Sequence, residues 1–195
     1  MTQLNTNRKI GLFAPSCYGK SYLGAKLIKS LADSGQIVYI YDTDYEFVNS
    51  DLFNHANVRV HTTTQKLIQD LRHLNNYLSV LRRNNTNAFI YIVDLDVFYD
   101  KASSNSFDNS EIKILSSMGR HQRLGMIYEA KQTAFIPTKL ISNTNLFYIG
   151  KFSTSQDMKK LNNVLAEAEF AQLNRQEHEF YEIDLLNNIK RIVKV

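Results

Sequence analysis

The stretch Ala14-Pro-Ser-Cys-Tyr-Gly-Lys-Ser21 decides how this 195-residue chain is expected to fold. A strand-like run, Lys9-Ile-Gly-Leu-Phe13, precedes it, and apolar residues at helical spacing, beginning at Leu23, follow it. Strand, loop and helix in this order are the context of a phosphate-binding loop of the form G-x-x-x-x-G-K-[ST]. Ala14 replaces the first glycine of that pattern, which is the smallest departure that an L-residue can make. The stretch therefore predicts an α/β fold with a nucleotide site.

Each part of such a loop has a physical task in binding a nucleotide. Backbone N–H groups turn inward toward phosphate oxygens, a lysine reaches the β- and γ-phosphates, and a hydroxyl holds Mg²⁺. Lys20 and Ser21 are expected to fill the last two tasks, and Gly19 lets the backbone come close to phosphate. The predicted nucleotide-binding residues are Pro15, Ser16, Cys17, Tyr18, Gly19, Lys20 and Ser21.

The composition is that of an ordinary globular protein, with 44% hydrophobic and 22% charged residues. No apolar run approaches the length that spans a bilayer, and the N-terminus lacks a signal-peptide core. We therefore expect a cytoplasmic protein without direct membrane insertion. The single cysteine, Cys17, excludes an internal disulfide and a cysteine-based zinc cluster. The net charge of +4 is compatible with a polyanionic partner.

Histidines give no sign of a second metal site. His55, His61, His73, His121 and His178 show no metal-ligand spacing, so no zinc is predicted.

Apolar runs divide the rest of the chain into alternating strands and helices. Further strands are predicted over Gln36–Tyr41, Val58–His61, Ala88–Val93, Gly125–Ala130 and Asn145–Ile149. Helices are predicted after the loop, over Thr64–Arg83, over Asp108–Met118, from near Pro137, and over Ser155–Gln172. This alternation predicts a mainly parallel sheet with helices on both faces.

The end of the chain has a different pattern. Glu179–Asp184 and Ile189–Lys194 alternate at period two around a short turn, which predicts a C-terminal β-hairpin over about residues 178–195. We expect a single domain over residues 1–195, with its core over about residues 8–173.

Acidic residues follow two of the predicted strands. The acids of Asp42-Thr-Asp-Tyr-Glu-Phe47 come after the second strand, and Asp94 closes the strand Ala88–Val93. Ligands bind at the carboxyl ends of parallel strands, so these acids are expected on the nucleotide side. An apolar strand closed by an acid is the Walker B arrangement, and Asp94 is predicted to hold Mg²⁺ together with Ser21.

The residue after Asp94 departs from the usual arrangement. A glutamate that polarises the attacking water is common there, whereas this chain has Leu95. Asp96 is a candidate substitute, because it would share a face with Asp94 if the strand continued.

Four segments in this order resemble the HerA/FtsK superfamily of P-loop ATPases, which pump DNA through a ring. They are Ala14–Ser21, the acidic element Asp42–Phe47, which is similar to the family's D-P-x-x-E, the strand-closing Asp94, and the run from Gly119-Arg-His to Gln132. Family members place an arginine-bearing turn before the fourth strand and a glutamine directly after it, followed by a segment similar to Phe135–Asn143. The resemblance covers roughly Lys9 to Lys160 and departs from the family at Ala14, Thr43 and Leu95. The compact length is most similar to stand-alone genome-packaging ATPases of DNA viruses.

The resemblance implies a RecA/ASCE-like P-loop NTPase fold, with ATP and Mg²⁺ bound by the residues named above. It implies that Gln132 senses the γ-phosphate and that Glu46 orients the attacking water, with a solvated surface acid as the alternative for Glu46. Arg120, with Arg123 in reserve, would be an arginine finger for the neighbouring subunit, a role that contributes about 10³–10⁵ in rate in other NTPases. A plain surface arginine is the alternative for either residue.

The implied function is ATP-driven translocation of double-stranded DNA, in the packaging of a viral genome into a capsid. The implied partners are double-stranded DNA, further copies of the chain in a ring of five or six, and a capsid or portal protein. The implied location is the host cytoplasm or the virion. Leu95 leaves a non-hydrolysing nucleotide-binding assembly factor as an alternative. Further alternatives are a small-molecule or nucleotide kinase and an export ATPase of a virus or plasmid.

Overall fold

The computed structural model describes residues 8–42, 44–47, 50–73, 80, 83–84, 86–99, 109–117, 123–151, 155–165 and 178–195. Eight strands form one sheet: β1 Lys9–Phe13, β2 Ile37–Tyr41, β3 Val58–His61, β4 Ala88–Ile92, β5 Leu124–Ala130, β6 Leu146–Ile149, β7 Glu179–Asp184 and β8 Ile189–Lys194. The predicted strands are confirmed to within one residue at each end.

The strand order is β3-β2-β4-β5-β1-β6-β7-β8. The first six strands of the chain pair in parallel, and β7 and β8 continue the sheet as an antiparallel hairpin. The carboxyl ends of the six parallel strands therefore meet at one edge of the sheet, where the loop after β1 and the acids after β2 and β4 all lie. The order also inserts β5 between β1 and β4, which places the end of β5 between the predicted phosphate loop and Asp94.

In the described part of the chain, helices cover the two faces of the sheet: α1 Lys20–Asp33, α2 Thr64–Arg72, α3 Asn109–Ser117, α4 Thr138–Ser142 and α5 Ser155–Leu165. One apolar cluster joins α1 to the sheet, and the other joins α2 to α5 to the opposite face. The side chains of β4 alternate between the two clusters: Phe89 and Tyr91 belong to the first, and Ile90 and Ile92 belong to the second. The predicted α/β P-loop NTPase-like fold, with helices on both faces and a C-terminal hairpin, is thus confirmed.

The helices within the described ranges are all too short or too polar to cross a bilayer.

Helix α2 covers the first part of the helix that the sequence pattern predicts over Thr64–Arg83. Leu67 and Leu71 are buried as expected, but the helix ends at Arg72, with His73 as its C-cap. The chain is helical again at Val80 and Arg83, so the predicted helical stretch is interrupted after Arg72. Apolar periodicity records which residues face the core and not where the helical hydrogen bonds stop. Residues 74–79, 81 and 82 lie outside the described part of the chain, as do residues 166–172 of the last predicted helix.

A buried ion pair fastens the hairpin to the start of the sheet. Arg8, directly before β1, donates a hydrogen bond to the carboxylate of Asp184 at the end of β7, and both residues are buried. The same carboxylate accepts the backbone N–H groups of Leu186 and Asn187, which closes the turn to β8. Burial opposes the ionisation of Asp184, but the bonds from Arg8 and Asn187 outweigh it and lower the pKa of the carboxyl below its ordinary value.

Asp184→Asn is expected to lower the free energy of unfolding at neutral pH by roughly 3–5 kcal/mol, because it leaves the Arg8 charge buried without its partner. Since the pKa of Asp184 is lower in the folded state, the stabilisation is complete above the ordinary value of 3.8 and is lost as the pH falls through the folded-state value. The stabilities of both proteins, measured by urea unfolding, should therefore converge as the pH falls below 3.8. The exposed acid Asp33 supplies the control, and Asp33→Asn should leave stability nearly unchanged. Equal losses in the two variants would contradict this assignment.

Candidate active site

The loop between β1 and α1 turns sharply before the helix begins. Gly19 is the N-cap of α1 with a φ of 95°, and Cys17 also has a left-handed backbone, with a φ of 60°. Left-handed residues in a short loop are typical of concave nests of N–H groups that bind anions. Lys20 is only 5% exposed, and its ammonium donates a hydrogen bond to the carbonyl of Pro15 at 3.1 Å. The lysine therefore bridges the two ends of the loop.

The C-terminal hairpin packs against this loop at Tyr18. The Tyr18 hydroxyl donates to the carbonyl of Glu179 at 2.9 Å, and its ring packs edge-on against Phe180. His178 Nδ1 lies 3.1 Å from the Tyr18 carbonyl, and it must carry the proton because a carbonyl only accepts. A loop whose N–H groups face inward presents carbonyls outward, and His178 satisfies one of them.

His178→Ala is expected to weaken ATP binding about 2–10-fold, because one net hydrogen bond contributes about 0.5–1.5 kcal/mol to the conformation of the loop. Titration with a fluorescent ATP analogue measures the change. His55→Ala is the matched control, since His55 pairs with Asp33 on the surface away from the loop. Equal affinities for the two variants would show that the hairpin does not support the loop.

The three acids after β2 divide into a structural acid and two that face the site. Asp42 is fully buried, and its carboxylate accepts the N–H groups of Glu46 at 3.0 Å and of Phe47 at 2.8 Å. These bonds fold the segment back, so that the Glu46 carboxylate accepts a hydrogen bond from the Ser21 hydroxyl. Tyr45 takes a left-handed backbone, with a φ of 60°, to make the turn.

Asp94 lies just after the end of β4, near the Glu46 carboxylate. Its side chain is 1% exposed, and burial raises the pKa of its carboxyl to about 6, against the opposing effect of the Lys131 ammonium. Carboxylate oxygens of Asp44, Glu46 and Asp94 lie within 4.8 Å of one another.

This arrangement fits a hard divalent cation. Carboxylate and hydroxyl oxygens are the ligands that Mg²⁺ takes in proteins. The Oδ1 atom of Asp94 is buried with no hydrogen-bond partner in the described part of the chain, so it has a lone pair to offer a cation. Asp94 and Ser21 therefore fit the predicted Mg²⁺, and the carboxylates of Asp44 and Glu46 lie next to Asp94.

Glu129 is an active-site acid that the sequence analysis missed. It is the second-last residue of β5, is 1% exposed, and its Oε2 lies 3.5 Å from the Ser21 hydroxyl. Its other oxygen accepts a hydrogen bond from the Tyr91 hydroxyl, and burial raises the pKa of its carboxyl to about 8. Gly24 makes room for this contact, because a Cβ there would collide with the Tyr91 hydroxyl. A single acid inside an otherwise apolar strand was the signal available in the sequence.

No protein-family model and no curated protein sequence matches the chain. Solved structures do resemble it. The genome packaging NTPase B204 from Sulfolobus turreted icosahedral virus 2, in complex with AMPPCP, has a TM-score of 0.74 at 16% identity and covers 98% of this chain and 99% of that one. B204, the DNA-packaging ATPase from Sulfolobus turreted icosahedral virus, has a TM-score of 0.77 at 14% identity over 98% of both chains. The pCW3 conjugation coupling protein TcpA, with ATPγS, has a TM-score of 0.68 at 16% identity over 92% of this chain and 58% of that one.

The chain has the fold of these ATPases. The resemblance to HerA/FtsK-like packaging ATPases is therefore confirmed for the fold, which is what a likeness at this identity establishes.

Within this B204-like fold, the segment after Asp94 differs from the expectation. Strand β4 ends at Ile92, and a 3-10 helix, Leu95–Tyr99, follows the turn. Asp96 therefore does not continue a strand with Asp94, and its carboxylate accepts the backbone N–H groups of Lys131 at 3.2 Å and Gln132 at 3.1 Å. Leu95 is fully buried in the cluster on the face opposite α1. Asp96 thus holds the turn after β5. The hypothesis that Asp96 substitutes for the missing glutamate assumed that the strand continues past Asp94, and this assumption is wrong.

The remaining predicted residues lie in different surroundings. Gln132 is exposed just beyond β5 and directly follows Lys131 in the chain. Arg123 lies at the amino end of β5, the edge of the sheet away from the site in its own subunit. Arg120 lies outside the described residues, so its role as an arginine finger stays a prediction.

Proposed function

We propose that this protein is an ATP-driven translocase of double-stranded DNA that packages a viral genome. The observation that carries the proposal is the convergence of Glu46 on the Ser21 hydroxyl, beside the buried Asp94, at the mouth of a phosphate-binding loop. Further support comes from the shared fold, because the similar solved structures are described as DNA-packaging and conjugation coupling proteins. ATP is the proposed substrate, since the similar structures contain AMPPCP and ATPγS.

The chain's own residues would divide the work of hydrolysis. Lys20 and the loop N–H groups hold the β- and γ-phosphates, and Ser21 and Asp94 hold Mg²⁺. Held by Ser21 and Asp94, Mg²⁺ would supply positive charge that offsets the negative charge of the phosphates. Glu46 orients the attacking water and accepts its proton, which an exposed carboxylate within reach of the metal site can do. Gln132 contacts the γ-phosphate.

Glu129 would act differently from the other acids at this site. Its pKa of about 8 keeps the carboxyl largely protonated at neutral pH. It therefore contributes little negative charge beside the phosphates, and it holds Tyr91 and Ser21 in place through hydrogen bonds.

The proposed assembly is a ring of five or six copies of a single domain. Arg120, or Arg123 in reserve, would enter the neighbour's site as an arginine finger. DNA contacts would be directed mostly to phosphates, so binding should weaken as salt rises. A capsid or portal protein is the proposed docking partner, in the host cytoplasm or the virion.

One observation favours a second function. Leu95 stands where the catalytic glutamate usually lies, and it is buried in the apolar core on the face of the sheet opposite α1. A nucleotide-binding assembly factor that does not hydrolyse ATP is the alternative that this position supports. Export of DNA or virions is a further variant of the translocase proposal.

The deciding experiment measures phosphate release from ATP by the purified protein with and without double-stranded DNA. We expect turnover that DNA stimulates, that salt suppresses, and that is lost in Lys20→Ala. ATP binding without turnover, even on DNA, would favour the assembly factor. Transfer of phosphate to a small acceptor in place of water would favour a kinase.

A further inference from the structure

Lys131 places an ammonium among the carboxylates of the proposed metal site. The residue directly follows β5, and its Nζ lies 2.5 Å from Oδ2 of Asp94 and 3.7 Å from Oδ2 of Asp44. These are two of the three acids whose oxygens lie within 4.8 Å of one another. A cation of the protein itself therefore contacts the oxygens that would hold Mg²⁺.

Electrostatics explain why a lysine is needed there. Asp94 is 1% exposed, and a buried carboxylate without a counter-charge is costly, the more so with Asp44 and Glu46 close by. The Lys131 ammonium compensates this charge as long as no other cation does.

The backbone of Lys131 is held in place, whereas its side chain can move away from Asp94 and Asp44. Its N–H donates to Asp96, which fixes the turn. Its side chain is 33% exposed, so the ammonium can return to water by rotation of its flexible stem. The structure thus combines a fixed attachment point with a removable charge.

We infer that Lys131 is an internal counter-ion of the metal site. It neutralises Asp94 and Asp44 in the nucleotide-free protein and leaves them when Mg²⁺ and ATP bind, so that the metal binds only together with the nucleotide. The inference rests on the proposed function, which supplies Mg²⁺ and ATP as the ligands. The phosphates of the nucleotide add ligands and negative charge, and these shift the competition for the Asp94 oxygens from the ammonium to the divalent ion.

The test measures Mn²⁺ binding to the nucleotide-free protein from the electron paramagnetic resonance signal of free Mn²⁺. Lys131→Met removes the charge and keeps the length of the side chain, and it should tighten Mn²⁺ binding at least about tenfold over the unmodified protein. Lys29→Met is the matched control, because Lys29 is exposed and pairs with Asp33 away from the site. The control should leave Mn²⁺ binding unchanged.

A second variant tests whether the added Mn²⁺ affinity depends on Asp94. Lys131→Met combined with Asp94→Asn should lose the added Mn²⁺ affinity. Unchanged affinity in Lys131→Met, or a gain that survives Asp94→Asn, would overturn the inference.

A third measurement uses the unmodified protein and does not depend on how a variant folds. Beyond the Mn²⁺ that AMPPCP binds by itself, AMPPCP should create Mn²⁺ binding to the protein that is weak or absent without nucleotide, and equally tight binding in both states would overturn the inference. None of these measurements requires turnover, so failure of DNA-stimulated hydrolysis and failure of the Lys131 inference can be told apart.

Discussion

Lys20→Ala is expected to lower ATP turnover by roughly 10²–10³-fold, the cost of removing one preorganised charged donor from a phosphoryl-transfer site. Lys20 is 5% exposed and begins α1 directly after the left-handed Gly19, so the helix and the loop fix its direction. Its one described hydrogen bond goes to the Pro15 carbonyl of the same loop, which leaves further N–H donors for phosphate oxygens. ATP affinity should fall together with turnover, because the lysine contacts the nucleotide before and during the reaction.

The matched control for this prediction is Lys29→Ala in the same helix. Lys29 is 64% exposed in its side chain and pairs with Asp33, four residues along the helix. Phosphate release assays on both variants, with circular dichroism to confirm the fold, separate the loss of the site from the loss of the helix. Turnover that survives Lys20→Ala would exclude this loop as the site of hydrolysis.

Glu46→Gln is expected to reduce turnover by roughly 10²–10⁴-fold while ATP binding is retained, because a general base contributes that much to the reaction step. The amide keeps the size of the side chain and can still accept a hydrogen bond from Ser21, but it cannot take a proton from water. Single-turnover hydrolysis and nucleotide titration measure the two effects separately.

Glu129→Gln is a close control for the same experiment, since both carboxylates approach the Ser21 hydroxyl. Burial raises the pKa of Glu129 to about 8, so the amide replaces a side chain that is already largely neutral at neutral pH. Turnover should therefore change little in this variant. Equal losses in the two variants would contradict the role of Glu46 as the base, and loss of nucleotide-supported metal binding in Glu46→Gln would reassign Glu46 as a metal ligand.

The fold could be predicted largely from local patterns in the sequence. The loop ending in Lys20 and Ser21 requires a strand before it and a helix after it, and both are read from neighbouring residues. Buried parallel strands are near-continuous apolar runs, so their bounds were predicted to within one residue. Helix ends were less predictable, as α2 shows, because its apolar face gives no mark of where the backbone bonds end.

The candidate site could be predicted only in part. Glu46 and Asp94 were predicted from their places after strands, but Glu129 and Lys131 were not, because their contacts join strands that are distant along the chain. In the sequence, Asp42 and Asp96 could not be distinguished from the site acids, because all of them are acidic residues that follow strands. Each caps a turn through backbone N–H groups, and this becomes visible only when the turn is folded.

The sequence by itself therefore determined the loop between β1 and α1, the alternation of strands and helices, and the hairpin, since each depends on residues close together in the chain. The tertiary structure decided which acids meet the Ser21 hydroxyl, that a lysine lies among them, and that the hairpin supports the loop through Tyr18 and His178. The physical reason is the strand order, which brings β5 between β1 and β4 and the end of the chain beside its beginning.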